Sequence, residues 1–376
     1  MSTSARPSTV RRTPLFDTHM EAGGRLVEFA GFQLPIQYAS PLAEHMAVRT
    51  AAGLFDVSHM GELLISGPRA LDAVQRLLSN DLARIADGQA AYTGLLNERG
   101  GFVDDVVAYR FSEQRFLLVV NAANVARDLD WIRDHVDLAQ SQVQIDDLSD
   151  DYAQLALQGP ASRRILARLL PASADLTRLA YYHFTEAEVA GTPCLLARTG
   201  YTGELGFELY CPPDRAPHLW AAIIDAGQGD GLIPCGLGAR DSLRLEKRFA
   251  LYGHDIDEHH TPLEAGLGWI VKLDKGDFIG RAALEAQKAT GLTRKLVGFE
   301  VLGRGIARAG QTILADGAEI GRITSGAFSP CRKQSIGLAY VPLSHATIDA
   351  TFDIDIRGAP VAARVVRTPF VETSVD

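Results

Sequence analysis

One stretch restricts the fold more than any other, because it combines a hairpin pattern with two adjacent acidic residues. Between Tyr92 and Tyr109, two apolar runs are separated by the turn-forming sequence Asn-Glu-Arg-Gly-Gly at 97–101. A turn of this kind typically joins antiparallel strands. The chain is therefore predicted to contain antiparallel sheet, with Asp104 and Asp105 inside its second strand.

The acidic pair is unusual for an apolar strand. Side chains alternate between the two faces of a strand, so Asp104 and Asp105 should point in opposite directions, and one should face an enclosed space. Burying a carboxylate is costly unless it has a partner or a role. An acidic pair near a hairpin is more often a solvated strand end or a local turn contact. The stretch alone leaves both interpretations open.

The rest of the chain alternates helix and strand patterns irregularly. Several neighbouring strands have the spacing of hairpins, which favours an α+β fold with mainly antiparallel sheets over a doubly wound parallel sheet. A helix is predicted from Pro41 to Arg49, with Ser40 as its N-cap. From Arg294 onward, short strands punctuated by Gly, Pro and Asp predict a separate β-barrel-like domain.

The length of 376 residues suggests two or three domains. We predict a disordered leader at 1–12, a main region at 13–285 and the C-terminal barrel domain at 294–376. The boundary is placed in the polar stretch 286–293.

Composition argues against several classes of function. The net charge of -9 disfavours a nucleic-acid binder, because such proteins usually present a basic face. No apolar run approaches the roughly 20 residues that span a bilayer, and the N-terminus lacks the apolar core of a signal peptide. We therefore expect a cytoplasmic protein that binds neither nucleic acid nor membrane.

Cysteine and histidine spacing predicts no metal site. The four cysteines are scattered and form no C-x-x-C pair, which favours reduced, mostly buried thiols. His259 and His260 are adjacent rather than four residues apart, so they lack the spacing of helical metal ligands. His59 is interpreted as a buried structural histidine.

The segment Thr199–Glu208 is the richest in glycine. A phosphate-binding loop is disfavoured, because the segment has neither a Walker lysine nor a strand-to-helix context. Two interpretations remain for Glu204. It lies exposed at the tip of a hairpin, or it points into a pocket and accepts paired N–H donors from an aminopyrimidinone ring such as a pterin.

The segment Pro234–Glu246 predicts a glycine turn followed by a helix. Arg240 and Arg244 are four residues apart and share one face of that helix. An exposed face would account for both. Arg240, however, lies in the first turn, where the helix dipole disfavours a positive charge, which favours an anchor for a substrate carboxylate.

Taken together, these segments resemble the aminomethyltransferase family of the glycine cleavage system, the T-proteins. The resemblance covers nearly the whole chain, from about Thr13 to Val371. The matching motifs are Asp56-Val-Ser-His-Met-Gly61, Asn97-Glu-x-Gly-Gly-x-x-Asp-Asp105, Leu157-Gln-Gly-Pro160, Gly200-Tyr-Thr-Gly-Glu204, Ala239-Arg-Asp-Ser-Leu-Arg-Leu-Glu246, Leu251-Tyr-Gly-His-Asp-Ile256, Thr261-Pro-Leu-Glu264, Thr324-Ser-Gly326 and Thr368-Pro-Phe-Val371.

The resemblance implies a fold, a reaction and two partners. The fold is a three-domain cloverleaf, with two intertwined antiparallel-sheet α/β domains and a C-terminal barrel around a central folate channel. The reaction transfers the one-carbon unit of an aminomethyl group, carried on the dihydrolipoyl arm of the H-protein, to tetrahydrofolate and releases ammonia. Lipoylated H-protein and tetrahydrofolate are therefore the expected partner and co-substrate.

The resemblance also implies roles for individual residues. Asp105 matches the catalytic aspartate of the family, which leaves Asp104 as a solvated or structural neighbour. The expected folate contacts are Tyr92, Glu204, Arg240, Trp269 and Tyr182, with Tyr181 as the alternative to Tyr182. Family members often carry a basic or aromatic contact just after the final Pro-Phe-Val. This chain instead has Glu372 there, and Arg364 and Arg367 are candidate substitutes.

Two other functions are compatible with this pattern. A folate-dependent demethylase of the same fold would take its one-carbon unit from another donor. A non-catalytic folate-binding regulator would keep Tyr92, Glu204 and Arg240 without needing Asp105. The observation that discriminates the aminomethyltransferase from these two is whether ammonia release depends on lipoylated H-protein.

Overall fold

The computed structural model describes residues 10–136 and 142–375. Residues 1–9 of the predicted leader lie outside the described residues. The described α-helices are Phe16–Glu21, Pro41–Thr50, Ala70–Leu77, Val125–His135, Ser162–Ala167, Ala216–Gly227, Leu237–Glu246 and Arg281–Thr290. The described strands pair antiparallel except for Arg11–Arg12 with Phe32–Gln37 and Ala52–Asp56 with Leu232–Pro234, which pair parallel. The predicted α+β class is confirmed.

A five-stranded sheet contains the hairpin that the sequence predicts. Its strand order is β6-β7-β8-β5-β9, formed by β6 (Gln89–Leu96), β7 (Phe102–Ser112), β8 (Arg115–Val120), β5 (Gly61–Ser66) and β9 (Gln144–Asp147). In the turn, Asn97 Oδ1 accepts the backbone N–H groups of Arg99 and Gly101 at 2.9 and 3.1 Å. The backbone of Gly100 has φ 81°, a value that residues other than glycine rarely adopt. The turn residues thus set the pairing of β6 with β7.

A six-stranded sheet is interlaced with the first one along the chain. Its order is β11-β12-β13-β10-β4-β14, from β11 (Phe184–Val189), β12 (Thr192–Ala197), β13 (Gly206–Cys211), β10 (Ala153–Gln158), β4 (Ala52–Asp56) and β14 (Leu232–Pro234). Strand β4 precedes the five-stranded sheet in sequence, yet it pairs with β10 and β14, which follow that sheet. The two sheets are therefore intertwined, as the resemblance implies.

Residues near the N-terminus form a small third sheet. Its order is β1-β3-β2, from β1 (Arg11–Arg12), β3 (Phe32–Gln37) and β2 (Arg25–Phe29). Arg11 pairs with Phe32, and Arg12 pairs with Gln33. The last two residues of the predicted disordered leader are thus part of a strand, because backbone pairing with β3 holds them.

The C-terminal part of the chain is a closed barrel. Its order is β15-β18-β17-β16-β19-β20, from β15 (Arg294–Val301), β18 (Gln334–Pro342), β17 (Ala318–Ser329), β16 (Thr312–Ala315), β19 (Thr351–Ile356) and β20 (Ala359–Val366). Phe299, Ile313 and Phe352 lie in its buried core. The predicted barrel is confirmed.

The Leu237–Glu246 helix is held tightly between these parts. Gly236, which precedes it, donates its N–H to Glu44 Oε2 at 2.9 Å, and a Cβ at Gly236 would lie 2.5 Å from the backbone of Ile36. On the barrel side, Arg244 donates to Ser325 Oγ at 2.8 Å. These contacts fix the orientation of the helix and so the direction in which the Arg240 side chain points from its first turn.

The Pro41–Thr50 helix begins as the sequence predicts. Ser40 Oγ accepts the N–H of Ala43 at 3.2 Å, and Pro41 occupies the first turn. The cysteines are free, with Cys331 exposed and the other three buried. No helix among the described residues is long and apolar enough to cross a membrane.

Candidate active site

A cavity of about 580 Å³ lies between the two intertwined sheets, the Leu237–Glu246 helix and the C-terminal segment. Ligand pockets in proteins typically have volumes of about 300–1,000 Å³. Its lining includes Tyr92 and Asp105 from the five-stranded sheet, Gln154, Glu208 and Tyr210 from the six-stranded sheet, Arg240 from the helix, Tyr181, Tyr182, Tyr201 and Trp269 from connecting segments, and Thr368 and Pro369 after the barrel. The volume suits a small-molecule substrate.

Asp105 is held in this cavity from two sides. Its Oδ2 accepts a hydrogen bond from the Tyr92 hydroxyl at 2.8 Å, and its Oδ1 accepts one from the Asn121 side-chain amide at 2.9 Å. Burial and then the neighbouring Asp104 carboxylate raise the pKa of Asp105 to about 7, although both hydrogen bonds oppose the shift. A carboxyl group that titrates near neutral pH is suited to exchanging a proton with a substrate.

Asp104 points to the opposite face of the strand and is not solvated. Its exposed fraction is 0%. Its oxygens accept the backbone N–H of Asn121 at 2.9 Å and the side-chain amides of Asn121 and Asn124 at 2.7 and 2.8 Å. Of the two roles predicted for Asp104, the structure favours a buried structural partner.

Aromatic side chains form one part of the cavity wall. The rings of Tyr92 and Trp269 have their centroids 5.9 Å apart. Trp269 lines the cavity but is 58% exposed, so the cavity reaches the surface there. Tyr181 and Tyr182 both line the cavity, and Tyr182 has φ 58°. The sequence could not choose between these two tyrosines, and the structure places both at the site.

Glu204 is not among the residues that line the cavity. Its carboxylate accepts a hydrogen bond from Arg49 at 3.0 Å, and the side chain is 9% exposed. The expectation that Glu204 points into the pocket therefore fails, because Arg49 from the Pro41–Thr50 helix binds its carboxylate elsewhere. Glu204 is neither a pocket acceptor nor an exposed hairpin tip.

Glu208 provides the carboxylate in the cavity wall that the sequence assigned to Glu204. It lies on β13, lines the cavity and accepts a hydrogen bond from the Thr199 hydroxyl. Burial raises its pKa, while Thr199 and Arg240 favour the ionised form. A signal for it was present in the sequence: Phe207, Leu209 and Cys211 alternate along β13 and enter the core. Strand alternation then directs Glu208 to the other face.

Arg240 and Arg244 share a helix but have different surroundings. Arg240 places its guanidinium carbon 4.7 Å from the centre of the Tyr201 ring and lines the cavity. No described residue forms an ion pair with it. Arg244 instead pairs with Asp241 and Asp255, each at 2.7 Å. Arg240 is therefore available to a ligand, whereas Arg244 is a structural residue.

His59 also lines the cavity, at an exposed fraction of 3%. Its ring packs edge-on to Phe29, with centroids 5.6 Å apart. Burial, reinforced by Arg240, lowers the pKa of His59 to about 4, so the imidazole is neutral. The sequence interpretation as a buried histidine agrees with this position, and its place in the cavity wall was not foreseen.

The C-terminal arginines do not line the cavity. Arg364 on β20 forms an ion pair with Glu300, which lies opposite it on the neighbouring strand β15. Thr368 and Pro369 reach the cavity instead, and Lys247, which also lines it, donates to the backbone oxygen of Val371 at 3.1 Å. Neither Arg364 nor Arg367 is therefore placed to substitute for the family's C-terminal contact.

One group among the described residues has the composition of a metal site. It consists of His45, Glu246 and Cys331, whose donor atoms lie within 4.8 Å of one another. Glu246 already accepts a hydrogen bond from Arg49 at 2.9 Å and another from Ser329. These bonds occupy the carboxylate, so the group is an ion-pair network that joins the helix to the barrel.

Known proteins resemble the chain over nearly all of its length. Residues 15–275 match the GCVT N-terminal domain, and residues 294–372 match the glycine cleavage T-protein C-terminal barrel domain. The chain is 48% identical over 362 residues to an aminomethyltransferase of Halothermothrix orenii, covering 96% of this chain and 100% of that protein. It is 47% identical over 363 residues to one from Bacillus subtilis, covering 96% and 99%.

A solved structure agrees with these matches. The glycine cleavage system aminomethyltransferase T from Bartonella henselae superposes with a TM-score of 0.89 and 34% identity, covering 96% of this chain and 98% of that one. The similarity in fold and in sequence thus extends over nearly the whole chain. The chain belongs to the glycine cleavage T-protein family and is an aminomethyltransferase.

Proposed function

We propose that the cavity binds tetrahydrofolate and that the enzyme transfers to it the one-carbon unit of an aminomethyl group carried on the dihydrolipoyl arm of the H-protein. The reaction runs in the cytoplasm as part of glycine breakdown. The observation that carries the proposal is Asp105, a carboxyl group fixed by two hydrogen bonds in the wall of a cavity. The same cavity is lined by Arg240, which has no ion-pair partner among the described residues.

The residues present fit a folate. A pterin ring is flat and has a polar edge, so it needs aromatic walls and a carboxylate that accepts paired N–H donors. Tyr92, Tyr182 and Trp269 provide the walls, and Glu208 provides the carboxylate that was assigned to Glu204 from sequence. The guanidinium of Arg240 is free to bind a carbonyl or carboxylate oxygen of the ligand.

The reaction needs few groups from the protein. The C–S and C–N bonds of the aminomethyl group break, two C–N bonds to tetrahydrofolate form, and the two folate N–H hydrogens leave on the thiol and on ammonia. Bound tetrahydrofolate supplies the two nucleophilic nitrogens. The protein has to orient these groups and move protons between them.

Asp105 is the residue that meets this requirement. Tyr92 and Asn121 fix both of its oxygens, so its remaining lone pairs have a defined direction toward a ligand N–H. Its pKa of about 7 lets it accept a proton from a folate nitrogen and pass it to the leaving amine near neutral pH. Orientation and proton transfer each contribute roughly 10² or more to rates.

The donor arm must reach this site from outside. Trp269 marks the place where the cavity meets the surface. A long, flexible arm attached to a carrier protein can enter there while the carrier stays at the surface. This opening is the route that we propose for the aminomethylated lipoyl arm.

The test uses the purified enzyme, tetrahydrofolate and aminomethylated H-protein. We expect ammonia and 5,10-methylenetetrahydrofolate to form in equal amounts, and neither to form with H-protein that lacks its lipoyl group. Formation of 5-methyltetrahydrofolate from a methylated donor without H-protein, with the folate N–H hydrogen leaving on the demethylated donor, would instead establish a demethylase. Binding of tetrahydrofolate with no turnover on either donor would establish a regulator.

A further inference from the structure

Two carboxyl groups of β7, one facing the cavity and one facing away from it, lie near a third carboxyl group on a helix. Asp104 and Asp105 are neighbours in that strand, and Asp128 comes from the Val125–His135 helix. Asp104 and Asp128 are both 0% exposed. Three negative charges in so small a buried space would repel each other strongly.

Asp104 has the contacts of an ionised carboxylate. One oxygen accepts the backbone N–H of Asn121 at 2.9 Å. The other accepts the side-chain amides of Asn121 and Asn124 at 2.7 and 2.8 Å. Three donors directed at one carboxylate favour its charged form.

Asp128, unlike Asp104, is not surrounded by hydrogen-bond donors. Neither of its oxygens accepts a hydrogen bond from a described residue. Arg127 Nε lies 3.9 Å from Asp128 Oδ1, beyond hydrogen-bonding distance, and Arg127 Nη2 donates to Val103 O and to the Tyr252 hydroxyl. A buried carboxylate without donors is strongly disfavoured. These surroundings favour the neutral form of Asp128, which can donate a hydrogen bond.

The acceptor for that proton is Asp104. Asp128 lies four residues, about one helical turn, after Asn124, whose amide donates to Asp104 at 2.8 Å, so its carboxyl group comes from the neighbouring position on the helix. Burial and the Asp104 charge raise the pKa of Asp128 far above its ordinary value, in agreement with the lack of donors, although the nearby Arg127 charge opposes the shift. The O–H of Asp128 thus gives Asp104 a further hydrogen bond.

Asn121 connects this pair to the cavity. Its side-chain amide donates to Asp104 at 2.7 Å and to Asp105 at 2.9 Å. The orientation of Asp104 therefore sets the orientation of the amide, and the amide sets the direction of the Asp105 carboxylate.

We propose that Asp104 and Asp128 share one proton and that this pair positions Asp105 through Asn121. The inference rests on the proposed catalytic role of Asp105. Asp104 and Asp128 are positioning residues, because neither lines the cavity. The pair carries one negative charge instead of two, which limits the repulsion that Asp105 experiences when it loses its own proton.

The other titratable groups around the three carboxyls are the same in every variant described below. They are Tyr92, Tyr182 and Tyr201 near Asp105, and Arg127 and Tyr252 near the pair. Differences between the variants therefore report the charge of Asp104 or of Asp128.

The test compares Asp104→Asn with Asp128→Asn, two matched substitutions that keep the shape of the side chain. The readout is kcat against pH with saturating tetrahydrofolate and aminomethylated H-protein. Removing the Asp104 charge should favour ionised Asp105 and move the acid limb of the profile to lower pH by roughly one unit. Asp128→Asn removes no charge if Asp128 is already protonated, so its acid limb should coincide with that of wild type. An equal downward shift in both variants would overturn the proposal.

A second measurement does not depend on turnover. Infrared difference spectra between wild type and Asp128→Asn, recorded at pH 8 on protein with ¹³C-labelled aspartate, should show the loss of one protonated carboxyl band. Loss of an ionised carboxylate band instead would overturn the shared proton, even if Asp104→Asn failed to fold. Failure of the proposed function looks different: Asp105→Asn would then keep wild-type activity while the infrared result stood.

Discussion

The two walls of the cavity differ in how far the protein has already satisfied their polar groups. On the five-stranded sheet, both oxygens of Asp105 accept hydrogen bonds from Tyr92 and Asn121. On the opposite wall, the Arg240 guanidinium has no ion-pair partner among the described residues, and Gln154 Oε1 accepts no hydrogen bond from them. The first wall is organised before a ligand arrives, whereas the second has polar groups left for the ligand to satisfy.

This difference predicts two kinetic signatures. A group fixed in advance and aimed at the reacting atoms should contribute mainly to kcat. Groups that wait for a ligand should contribute to binding of both ground state and transition state, and so should appear mainly in KM. Substitutions on the two walls test this division.

The largest effect is expected for Asp105→Asn. The amide keeps the size of the side chain but cannot take up a proton, so kcat should fall by roughly 10²-fold or more. The dissociation constant of tetrahydrofolate, measured by calorimetry, should change only a few-fold. A variant that loses folate binding in proportion to kcat would show that Asp105 belongs functionally to the binding wall.

The next effect concerns two glutamates only four positions apart. Glu208→Gln removes the charged acceptor in the cavity. A hydrogen bond to a charged group contributes about 1.5–3 kcal/mol. The KM for tetrahydrofolate should therefore rise by roughly 10- to 150-fold.

Glu204→Gln is the matched control for Glu208→Gln. It should leave the folate KM unchanged and lower thermal stability, because the buried Arg49 loses a partner. A raised KM in Glu204→Gln alone would reverse the assignment that the geometry gives.

This pair of glutamates also shows what the sequence could predict at the site. The resemblance located the glycine-rich segment that contains both glutamates, but Glu204 was chosen over Glu208. That choice ignored the alternation of Phe207, Leu209 and Cys211, which directs the side chain between them to the cavity face. Asn121 and Asp128 were not predicted at all. They reach Asp104 and Asp105 from the end of another strand and from a helix, and no local pattern reports such contacts.

Some features of the fold could likewise be predicted from residues close in sequence, whereas others depend on contacts between residues far apart in sequence. The hairpin at Asn97, the cap at Ser40 and the short strands of the barrel have local causes, and each was predicted from residues close in sequence. The pairing of β4 with β10 joins Leu54 to Leu157. Apolar periodicity identifies both strands but does not specify which partner each takes, so the intertwined topology came only from the resemblance.

A moderate effect is expected for Arg240→Ala. The guanidinium should bind an oxygen of the folate, so its loss should raise KM for tetrahydrofolate by about tenfold while kcat falls only a few-fold. Steady-state kinetics with varied folate measures both constants. Arg240→Lys keeps the charge and should recover part of the loss. An unchanged KM in Arg240→Ala would remove this residue from the binding wall.

The smallest effect is expected for Tyr92→Phe, which tests how the organised wall sets the acidity of Asp105. The Tyr92 hydroxyl stabilises the ionised form of Asp105, so its removal should raise the pKa of that carboxyl above about 7. Asp105 would then be ionised only at higher pH, and the acid limb of kcat should move upward, by less than one unit. The acid limb should therefore move in the direction opposite to the shift expected for Asp104→Asn. The aromatic ring remains against Trp269, so KM should stay the same. A downward shift, or a change confined to KM, would mean that Tyr92 acts only as a wall for the ligand.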